Sequence, residues 1–275
     1  MGTRLSIITV NRNNAEGLSR TIASVRSQTF RNFEFIIIDG ASIDNSIEIL
    51  KENAPVISYW ISEPDKGTYQ AMNKGVKASS GEYCYFLNSG DYLATDTVLD
   101  EIFHQNIYGD IISGNVRKVR PNNKYRSVLS PGSVSLHKLC IHSLPHQASL
   151  IRRSLFDEIG YYTESYRIAS DWEFFLKALI VNNRIYQHID VDFSYFKLGG
   201  VSSRKENIPL ANEESYDCLK RLFPKQADDL MEYRQFYNSS LGQVIRLLQT
   251  KKKLYKLIDN ACGWIISGKK AIAGK

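Results

Sequence analysis

The sequence predicts an α/β fold with a mostly parallel central sheet, helices on both flanks and a helical C-terminal extension. Three observations support this prediction. Strand and helix patterns alternate through residues 1–94, which is typical of a parallel sheet built with crossover helices. The strand patterns are continuous apolar and β-branched runs, as expected of strands covered on both faces. From residue 206 onward the pattern is helical.

The first part of the chain carries four strand patterns with three helix patterns between them. The strands are predicted at residues 5–10, 33–38, 56–61 and 83–87, and the helices at residues 15–27, 44–52 and 67–79. Leu18, Ile22 and Val25 recur at helical spacing in the first helix, and Asp44 suits the N-cap of the second. This βαβαβαβ order predicts parallel strands joined by right-handed crossovers.

The second part of the chain has a mixed pattern. Helices are predicted at residues 95–105 and 171–181, extended segments at residues 110–119 and after the Asn122-Asn123 turn, and strands at residues 147–152 and 184–196. Phe174, Phe175, Ala178 and Leu179 lie along one side of the later helix. We therefore divide the chain into one domain with two halves, residues 1–94 and 95–205, and a helical extension, residues 206–275.

Cysteine usage and hydropathy indicate a cytoplasmic protein. The four cysteines, Cys84, Cys140, Cys218 and Cys262, are scattered and form no Cys-x-x-Cys pair. This pattern favours reduced thiols over a disulfide framework. No apolar run approaches the roughly 18 residues that a membrane-spanning helix needs.

The basic character of the chain is concentrated at its C-terminal end. The net charge is +6, yet residues 241–275 alone hold eight lysines and arginines against one acid, Asp259. The rest of the chain is therefore close to neutral. A nucleic-acid-binding domain would carry a basic surface on its folded body, so we expect no nucleic-acid partner.

The same C-terminal segment has an amphipathic helical pattern. Leu241, Val244, Ile245 and Leu248 fall on one face, and Leu254, Leu257, Ile258, Ala261 and Ile265 resume it after a lysine cluster. A lysine-rich amphipathic helix with Trp264 near its end suits an anionic membrane surface, here the cytoplasmic face of the inner membrane. Packing of this helix on the body or on a second subunit is the alternative.

Three acidic residues follow the ends of predicted elements. Asp39 follows the second strand, Asp91 follows the fourth strand, and Asp171 lies at the start of a helix. Ligands of open α/β sheets bind at the carboxyl ends of the strands. We therefore expect these acids to line one site, with Asp91 where a nucleotide diphosphate and its metal ion would lie. Each acid could instead cap the helix that follows it.

The turn after the first strand excludes two classes of nucleotide-binding enzyme. A dinucleotide-binding fold needs Gly-x-Gly-x-x-Gly there, because only glycine lets the backbone approach the pyrophosphate. Residues 9–14 contain no glycine, and the chain has no Walker A loop. Any bound phosphates are therefore expected to be held by a metal ion and by side chains.

Seven short motifs, in order along the chain, resemble those of family 2 glycosyltransferases. They are Ser6-Ile7-Ile8-Thr9-Val10-Asn11, Asp39-Gly40-Ala41-Ser42-Ile43-Asp44, Ala71-Met72-Asn73-Lys74-Gly75, Leu87-Asn88-Ser89-Gly90-Asp91, His146-Gln147, Ala169-Ser170-Asp171-Trp172 and Gly199-Gly200-Val201-Ser202. The resemblance covers residues 4–205 and is strongest to the bacterial branch that assembles exopolysaccharides, including colanic-acid-type polymers. It implies the GT-A nucleotide-diphospho-sugar transferase fold, a nucleotide-sugar donor and inversion at the anomeric carbon.

The resemblance also implies roles for single residues. It implies that Thr9 and Asn11 line the nucleotide pocket and that Asp39 accepts a hydrogen bond from a ring N–H of uracil. Asp91 would bind Mg²⁺ or Mn²⁺, and Asp171 would remove the proton of the attacking hydroxyl. Further contacts with the donor are implied for Asn73, Asn88 and Gly90 in the nucleotide-sugar-binding half, residues 1–94. Contacts with the acceptor are implied for His146, Gln147 and Trp172 in the acceptor-binding half, residues 95–205.

The chain departs from the family pattern at two places. Asn88 and Gly90 replace the first two acids of the metal motif, which bears on the affinity for the metal ion. Met72 replaces an arginine, so Lys66 or Lys74 is expected to balance the phosphate charge.

Three assignments keep alternatives. Glu164 and Glu173 are rivals to Asp171 as the base. Trp172 could pack in the core rather than stack on an acceptor sugar. A loop at Gly199-Gly200 could close over the donor phosphates, or these glycines could form only a turn.

Together these features predict a metal-dependent glycosyltransferase. It would move a sugar, UDP-linked in preference to GDP- or TDP-linked, to a hydroxyl of a glycan or lipid-linked acceptor in bacterial surface polysaccharide synthesis. A catalytically inactive nucleotide-sugar-binding or glycan-binding subunit would explain Asn88 and Gly90, although Asp171 is retained. A sugar-1-phosphate nucleotidyltransferase would need a glycine-rich basic loop that residues 11–14 do not supply.

Overall fold

The protein, seen in a computed structural model, is described for residues 2–119, 125–197 and 204–250, together with residues 256 and 260. Its strands are β1 (Leu5–Asn11), β2 (Phe33–Asp39), β3 (Tyr59–Ser62), β4 (Tyr83–Phe86), β5 (Tyr92–Leu93), β6 (Ile111–Val119), β7 (Tyr125–Val128), β8 (Ser149–Arg152) and β9 (Tyr186–Lys197). The helices are α1 (Ala15–Arg26), α2 (Ser46–Glu52), α3 (Thr68–Ala78), α4 (Val98–Phe103), α5 (Leu136–Ile141), α6 (Ser154–Ile159), α7 (Ser170–Leu176), α8 (Ile208–Leu222), α9 (Ala227–Asn238) and α10 (Ser240–Thr250). The predicted turn at Asn122-Asn123, the Gly199-Gly200 segment and most of the tail beyond residue 250 lie outside the described residues.

The strands form one mixed sheet in the order β3-β2-β1-β4-β8-β6-β9-β5, with β7 also paired to β6. The first four strands in this order are parallel to one another, as predicted. Strand β8 then pairs antiparallel to both β4 and β6, so the second half of the sheet is mixed. The predicted α/β class with a GT-A-like sheet flanked by helices is confirmed.

Both faces of the parallel half are buried, which explains its continuous apolar strands. Ile8, Ile36 and Phe86 contribute to the core cluster that also contains residues of α3 and α7. Ile7 and Phe35 contribute to the cluster on the other face, which contains residues of α1 and α4. Because strand side chains alternate between faces, a strand buried on both sides is apolar at most positions, and its buried polar side chains need hydrogen-bond partners.

The sequence prediction differs from the structure mainly at short elements. Residues 56–61 were predicted as one strand, but the Pro55-containing turn Ala54–Val56 is a 3₁₀ helix and β3 begins only at Tyr59. Neither the two-residue strand β5 nor the six-residue helices α5 and α6 were predicted. Elements of this length carry too few residues for a hydrophobic period to emerge. Helix α7 continues as a π-helical turn, Lys177–Val181.

The C-terminal helices pack against the body of the protein. Cys218 and Leu219 of α8, and Ala227 and Met231 of α9, belong to the core cluster that contains Phe174 of α7. The described part of the chain contains no helix that is long and apolar enough to cross a membrane. The division into a domain of residues 1–205 and an extension of residues 206–275 stays a prediction.

Candidate active site

A cavity of about 740 Å³ opens at the carboxyl ends of β1 and β4. Three of the predicted elements meet there: the end of β1, the turn after β4 and the start of α7. The lining residues are Val10, Asn11, Arg12, Asn14, Asp65, Gly67, Thr68, Tyr69, Ala71, Met72, Asn88, Ser89, Gly90, Asp91, His146, Gln147, Arg167, Ile168, Asp171, Phe196 and Arg204. The position agrees with the general rule that ligands of α/β sheets bind outside the carboxyl ends of the strands.

Asp39 and Asn11 form the innermost polar pair at this edge of the sheet. The parallel register sets Asn11 directly beside Asp39, and the Asn11 amide donates to Asp39 Oδ1 over 2.7 Å. Asp39 is fully buried and also accepts from the Ser42 hydroxyl, the Ser42 backbone N–H and the Ser62 hydroxyl, at 2.6, 2.8 and 2.6 Å. Four donors therefore compensate the burial of this carboxylate.

Two amide oxygens in the cavity wall are buried and unpaired. Asn11 Oδ1 and Asn88 Oδ1 have no hydrogen-bond partner among the described residues. Both side chains line the cavity. An unpaired buried acceptor costs roughly 1–3 kcal/mol, and a bound donor or cation would remove that cost. Both oxygens are therefore available as acceptors for a donor group, or as ligands for a cation, bound in the cavity.

The turn after β4 holds Asp91 at the cavity. Gly90 has φ +102°, a conformation that favours glycine, and its N–H donates to the Thr21 hydroxyl over 3.0 Å. The same hydroxyl donates to the Asp91 carbonyl over 2.7 Å, and Asp91 N–H donates to the Asn88 carbonyl over 2.9 Å. Thr21 of α1 therefore fixes the turn from behind, and Asp91, only 6% exposed, lines the cavity.

The donor set of this turn fits a hard divalent cation. Asp91 supplies a carboxylate, and the neighbouring Asn88 supplies an unpaired amide oxygen. Mg²⁺ usually takes only one or two protein carboxylates and completes its shell with phosphates and water. The described residues contain no group of three or more His, Cys, Asp or Glu side chains arranged around one point. The site therefore suits a cation that shares its ligands with a bound diphosphate.

Asp171 lies at the start of α7, and its half-buried carboxylate lines the cavity. The Tyr69 hydroxyl of α3 lies 3.0 Å from Asp171 Oδ1 and 2.7 Å from the Ile168 carbonyl oxygen. Burial, and next the negative charge of Asp171, raise the pKa of Tyr69 well above its ordinary value. Tyr69 therefore stays protonated, and the Ile168 carbonyl and the Asp171 carboxylate share its single O–H donor.

His146 forms part of the cavity wall near Asp171. Its ring is buried, stacks on Phe86 with centroids 4.8 Å apart, and brings Nε2 within 2.9 Å of the Tyr162 hydroxyl. Burial lowers the pKa of His146, and the nearby Asp171 charge only partly opposes this effect. The imidazole is therefore held neutral. The adjacent Gln147 also lines the cavity, while its carbonyl accepts hydrogen bonds from Tyr85 and Ser194.

Four predicted site residues are absent from the cavity lining in the described part of the chain. The Thr9 hydroxyl donates to the Leu87 carbonyl over 2.6 Å, joining β1 to the end of β4. Asp39 lies behind Asn11, as described above. Asn73 donates to the Tyr162 carbonyl and accepts from the Tyr162 N–H, at 2.9 and 3.0 Å. Trp172 points into the core, with its indole N–H bound to the Leu139 carbonyl over 2.6 Å and Arg234 over its ring.

The two rival bases are engaged elsewhere. Glu173 is 1% exposed and accepts from the Thr163 hydroxyl over 2.6 Å, with Lys177 and Arg221 as ion-pair partners. Glu164 is exposed and accepts from Asn73 and Gln70. Over the described residues, neither glutamate lines the cavity.

The cavity wall carries three arginines that the sequence analysis missed: Arg12, Arg167 and Arg204. The predicted alternative Lys74 instead pairs with Glu63 at 2.7 Å, and Lys66 is not among the lining residues of the described region. A positional signal was present, because Arg12 follows β1 immediately and Arg167 lies four residues before Asp171. The positive charge of the site therefore comes from these arginines of the cavity wall rather than from lysines in or near α3.

Sequence comparison identifies relatives over most of the chain. The sequence model described as glycosyl transferase family 2 matches residues 6–170. The chain is 36% identical over 210 residues to an uncharacterized glycosyltransferase of Mycobacterium tuberculosis, covering 74% of this chain and 78% of that protein. It is 30% identical over 210 residues to a PGL/p-HBAD biosynthesis glycosyltransferase of Mycobacterium bovis, covering 72% and 78% of the two chains.

Solved structures share the fold at low sequence identity. TarS of S. aureus in complex with UDP-GlcNAc aligns with TM-score 0.66 and 18% identity, covering 92% of this chain and 78% of that chain. The mannosyltransferase PcManGT of Pyrobaculum calidifontis, in complex with GDP-Man and Mn²⁺, aligns with TM-score 0.64 and 14% identity, covering 100% and 81%. The match to the family over more than half of the sequence, with the shared GT-A-like fold and the cavity at the strand ends, shows that the chain belongs to glycosyl transferase family 2.

Proposed function

We propose that the protein transfers a sugar from a nucleotide-sugar, preferentially a UDP-sugar, to a hydroxyl of a glycan or lipid-linked acceptor in bacterial surface polysaccharide synthesis. One observation carries the proposal. Asp91, on the turn after β4, and Asp171, at the start of α7, line the same cavity at the strand ends. Such a cavity can hold a diphosphate at one carboxylate while the other faces the attacking hydroxyl.

The donor binds on the β1 side of the cavity in this proposal. Asn11 Oδ1 and Asn88 Oδ1 are unpaired acceptors there, and Arg12 supplies positive charge for the phosphates. Asp39 and Thr9 act from behind this surface, by fixing Asn11 and the strand ends. The UDP-GlcNAc complex of TarS supports a UDP-sugar as the preferred donor. The GDP-Man complex of PcManGT makes a GDP-sugar the second candidate.

Asp91 and Asn88 Oδ1 would hold the divalent cation, Mg²⁺ or Mn²⁺, and the donor diphosphate would supply further ligands. Such a cation neutralises the negative charge that develops on the departing diphosphate. Gly90 has no side chain, so the turn can approach the diphosphate closely. A Cβ at this position would also lie 3.3 Å from the Asn14 side chain. The replacement of two acids by Asn88 and Gly90 leaves a weaker ligand set, so we expect metal affinity that depends on bound nucleotide.

Asp171 acts as the base. Its carboxylate takes the proton of the acceptor hydroxyl while that oxygen attacks C1 of the sugar from the face opposite the diphosphate. The C1–O bond breaks, its electron pair leaves with the nucleoside diphosphate, and the configuration at C1 inverts. A well-placed base contributes about 10²–10⁴ in rate. The neutral His146 and the side chain of Gln147 line the same part of the cavity and are proposed to contact the acceptor sugar.

The acceptor and the cellular location are proposed from a relative and from the C-terminal segment. The M. bovis relative is named as a PGL/p-HBAD biosynthesis glycosyltransferase, which supports sugar transfer within a biosynthetic route. Helix α10 exposes Leu241, Val244 and Leu247. The lysine cluster at residues 251–253 follows it in sequence. We propose that this segment contacts an anionic membrane surface at which such acceptors lie.

Nucleotide binding is tested by thermal unfolding with UDP, GDP and TDP, each with and without Mn²⁺. A ligand present at about 100 times its Kd adds about 2.7 kcal/mol to the free energy of unfolding. We expect the largest shift with UDP and Mn²⁺, and loss of the Mn²⁺-dependent part in Asp91→Ala. The matched control is Asp65→Ala, an aspartate of the same cavity on the α3 side. Equal shifts with and without Mn²⁺ in the unmodified protein would contradict a metal-assisted site.

Catalysis is tested by release of UDP from UDP-glucose, UDP-galactose and UDP-N-acetylglucosamine. We expect Asp171→Asn to lower kcat by about 10²–10⁴ with nearly unchanged donor affinity. Glu164→Gln, which alters the exposed rival base, should retain kcat. Nucleotide binding without any turnover would favour the inactive binding subunit, and synthesis of nucleotide-sugar from a nucleoside triphosphate would favour the nucleotidyltransferase.

A further inference from the structure

Helix α8 reaches back to the segment that precedes Asp171. Its Glu214 is 6% exposed, and Glu214 Oε1 accepts from the Arg167 N–H over 2.7 Å. Glu214 Oε2 accepts from the N–H groups of Ile168 and Ala169, both over 2.9 Å. One carboxylate from outside the family-matched residues 6–170 therefore binds three successive backbone amides within them.

These three amides belong to the part of the backbone that sets the position of Asp171. Arg167 and Ile168 line the cavity, and Ala169 is the N-cap residue of α7. The Ile168 carbonyl and Asp171 Oδ1 both lie within hydrogen-bond distance of the Tyr69 hydroxyl. A shift of the 167–169 backbone would therefore move the Asp171 carboxylate relative to Tyr69 and to the cavity.

The segment lacks a local means of satisfying these amides. Arg167, Ile168 and Ala169 precede Ser170, the first residue of α7, so their N–H groups are not part of the hydrogen-bond ladder of that helix. A buried amide without a partner is costly. Glu214 supplies the acceptors for these amides from a neighbouring helix.

A second set of contacts holds α8 on the other side of Asp171. Arg221 lies 3.0 Å from Glu173 Oε1, two residues after Asp171. The Tyr166 hydroxyl, before the anchored amides, binds Asp217 and Arg221 of α8. Helix α8 therefore contacts the chain both before and after Asp171.

We propose that Glu214 is a positioning residue for the base: it fixes the backbone of residues 167–169 and thereby aims the Asp171 carboxylate at the acceptor hydroxyl. This proposal rests on the proposed function, in which Asp171 is the base. It assigns to α8 a part in catalysis, beyond its contribution of Cys218 and Leu219 to the core.

The test compares Glu214→Gln and Glu214→Ala with the control Glu213→Gln, which alters the exposed neighbouring glutamate. Gln keeps one acceptor oxygen, so its effect should lie between those of the unmodified protein and of Ala. Misplacement of a reacting group by about 1 Å can cost about 10²-fold in rate. We expect Glu214→Ala to lower kcat by about 10- to 100-fold, with donor KM changed less than about twofold and Glu213→Gln unaffected.

Hydrogen–deuterium exchange of the amides at residues 167–169 is measured on the same variants, because it reports the anchor without any assay of transfer. We expect faster exchange there in both Glu214 variants. Tyr69→Phe provides the coupling measurement, since Tyr69 acts on the same carboxylate and its effect on kcat should be less than multiplicative with that of Glu214→Gln.

Each outcome bears on one claim. Faster exchange with unchanged kcat overturns the positioning role, and unchanged exchange overturns the anchor itself. A fall in kcat that multiplies independently with Tyr69→Phe also contradicts the proposal. If the unmodified protein binds nucleotide but transfers no sugar, the proposed function is wrong. The role of Glu214 in catalysis would then be wrong too, even if hydrogen–deuterium exchange confirms its contact with the amides of residues 167–169.

Discussion

At the scale of single residues, the site combines satisfied and unsatisfied polar groups. Asp39 has four hydrogen-bond donors around it, whereas Asn11 Oδ1 and Asn88 Oδ1 have none among the described residues. A buried polar group whose hydrogen bonds are all made within the protein supports the fold. A polar atom at a cavity without such a bond can bind a ligand instead. This difference separates the residues that shape the site from those that face its ligand.

The first prediction concerns Asp39→Asn. The new amide group would face the Ser42 N–H, one of the four donors to Asp39, and a donor cannot bind another donor. We expect the free energy of unfolding to fall by about 1–3 kcal/mol, measured by urea denaturation. Ser62→Ala, which removes a single hydroxyl donor to Asp39, serves as the control and should cost less. UDP affinity of the two variants, at a temperature where both are folded, tests the proposed role of Asp39 in fixing Asn11 at the donor side of the cavity.

The second prediction concerns the pH dependence of stability. Burial lowers the pKa of His146 in the folded state, while the unfolded chain protonates with a pKa of about 6.5. Below about pH 6.5 the unfolded state therefore binds more protons than the folded state, and the free energy of unfolding decreases as the pH falls. His146→Gln should reduce this dependence between pH 7 and pH 5, although the variant is less stable at pH 7.

Urea denaturation at several pH values measures this effect. Desolvation, and next the positive charges of Arg246 and Arg234, also lower the pKa of His142, so some pH dependence should remain in His146→Gln. The exposed His104→Gln is the matched control and should follow the unmodified protein. Parallel pH curves for His146→Gln and the unmodified protein would contradict the assignment of a buried neutral imidazole.

At the scale of elements, sequence patterns predicted the type and the ends of an element where the element is long and uniformly buried. Strands β1 and β2 and helices α1 and α3 begin and end within one residue of their predicted positions. Strand β5 was missed because its two residues are held only by pairing with β9, a contact about 100 residues away in sequence. Trp172 illustrates the same limit, since α7 is buried on nearly all sides and no pattern distinguishes core from site.

The third prediction tests the contact between α3 and β1. A Cβ on Gly75 would lie 2.4 Å from Cγ2 of Ile8, so the glycine allows the helix to lie close to the sheet. Alanine is favoured over glycine in helices by about 1 kcal/mol, yet overpacking costs about 1–3 kcal/mol. We expect Gly75→Ala to be net destabilising in urea denaturation. Ala78→Gly, at an exposed position of the same helix, measures the effect of exchanging alanine and glycine where no neighbour is crowded. If Gly75→Ala were more stable than the unmodified protein, close packing of α3 on β1 would not explain this glycine.

At the scale of the whole molecule, the sequence located the site by a topological rule. Acidic residues at strand ends predicted a cavity at the carboxyl edge of the sheet, and Asp91 and Asp171 do line one cavity. The order of the strands was not predictable, because β8 enters antiparallel between β4 and β6 through pairings far apart in sequence. For the same reason the contact of Glu214 with residues 167–169 was missed, since it depends on the folded arrangement of distant segments. Arg12 and Arg167, in contrast, lie next to motifs that already pointed to the site.

The fourth prediction concerns the surface formed by helix α10. Leu241, Val244 and Leu247 are 61%, 51% and 66% exposed. Neighbouring exposed apolar side chains on one surface are typical of a membrane or protein contact. Each leucine or valine that leaves water contributes about 1.5–3 kcal/mol, and nearby lysines add attraction to anionic lipids. We therefore expect the protein to co-sediment with phosphatidylglycerol-containing vesicles, more weakly at high salt and hardly at all with phosphatidylcholine vesicles.

Substitution of these three residues by serine should lower vesicle affinity by about tenfold or more, because the apolar contact is lost while the lysines remain. Leu129→Ser, at a residue 70% exposed elsewhere on the molecule, is the matched control and should bind vesicles normally. UDP release from a soluble donor should be unchanged in the triple variant, since α10 lies outside the cavity lining. If the triple variant kept its vesicle binding but formed a different oligomer in light scattering, the surface would be a subunit contact instead. The membrane proposal would then be wrong, while the assignment of the active site would stand.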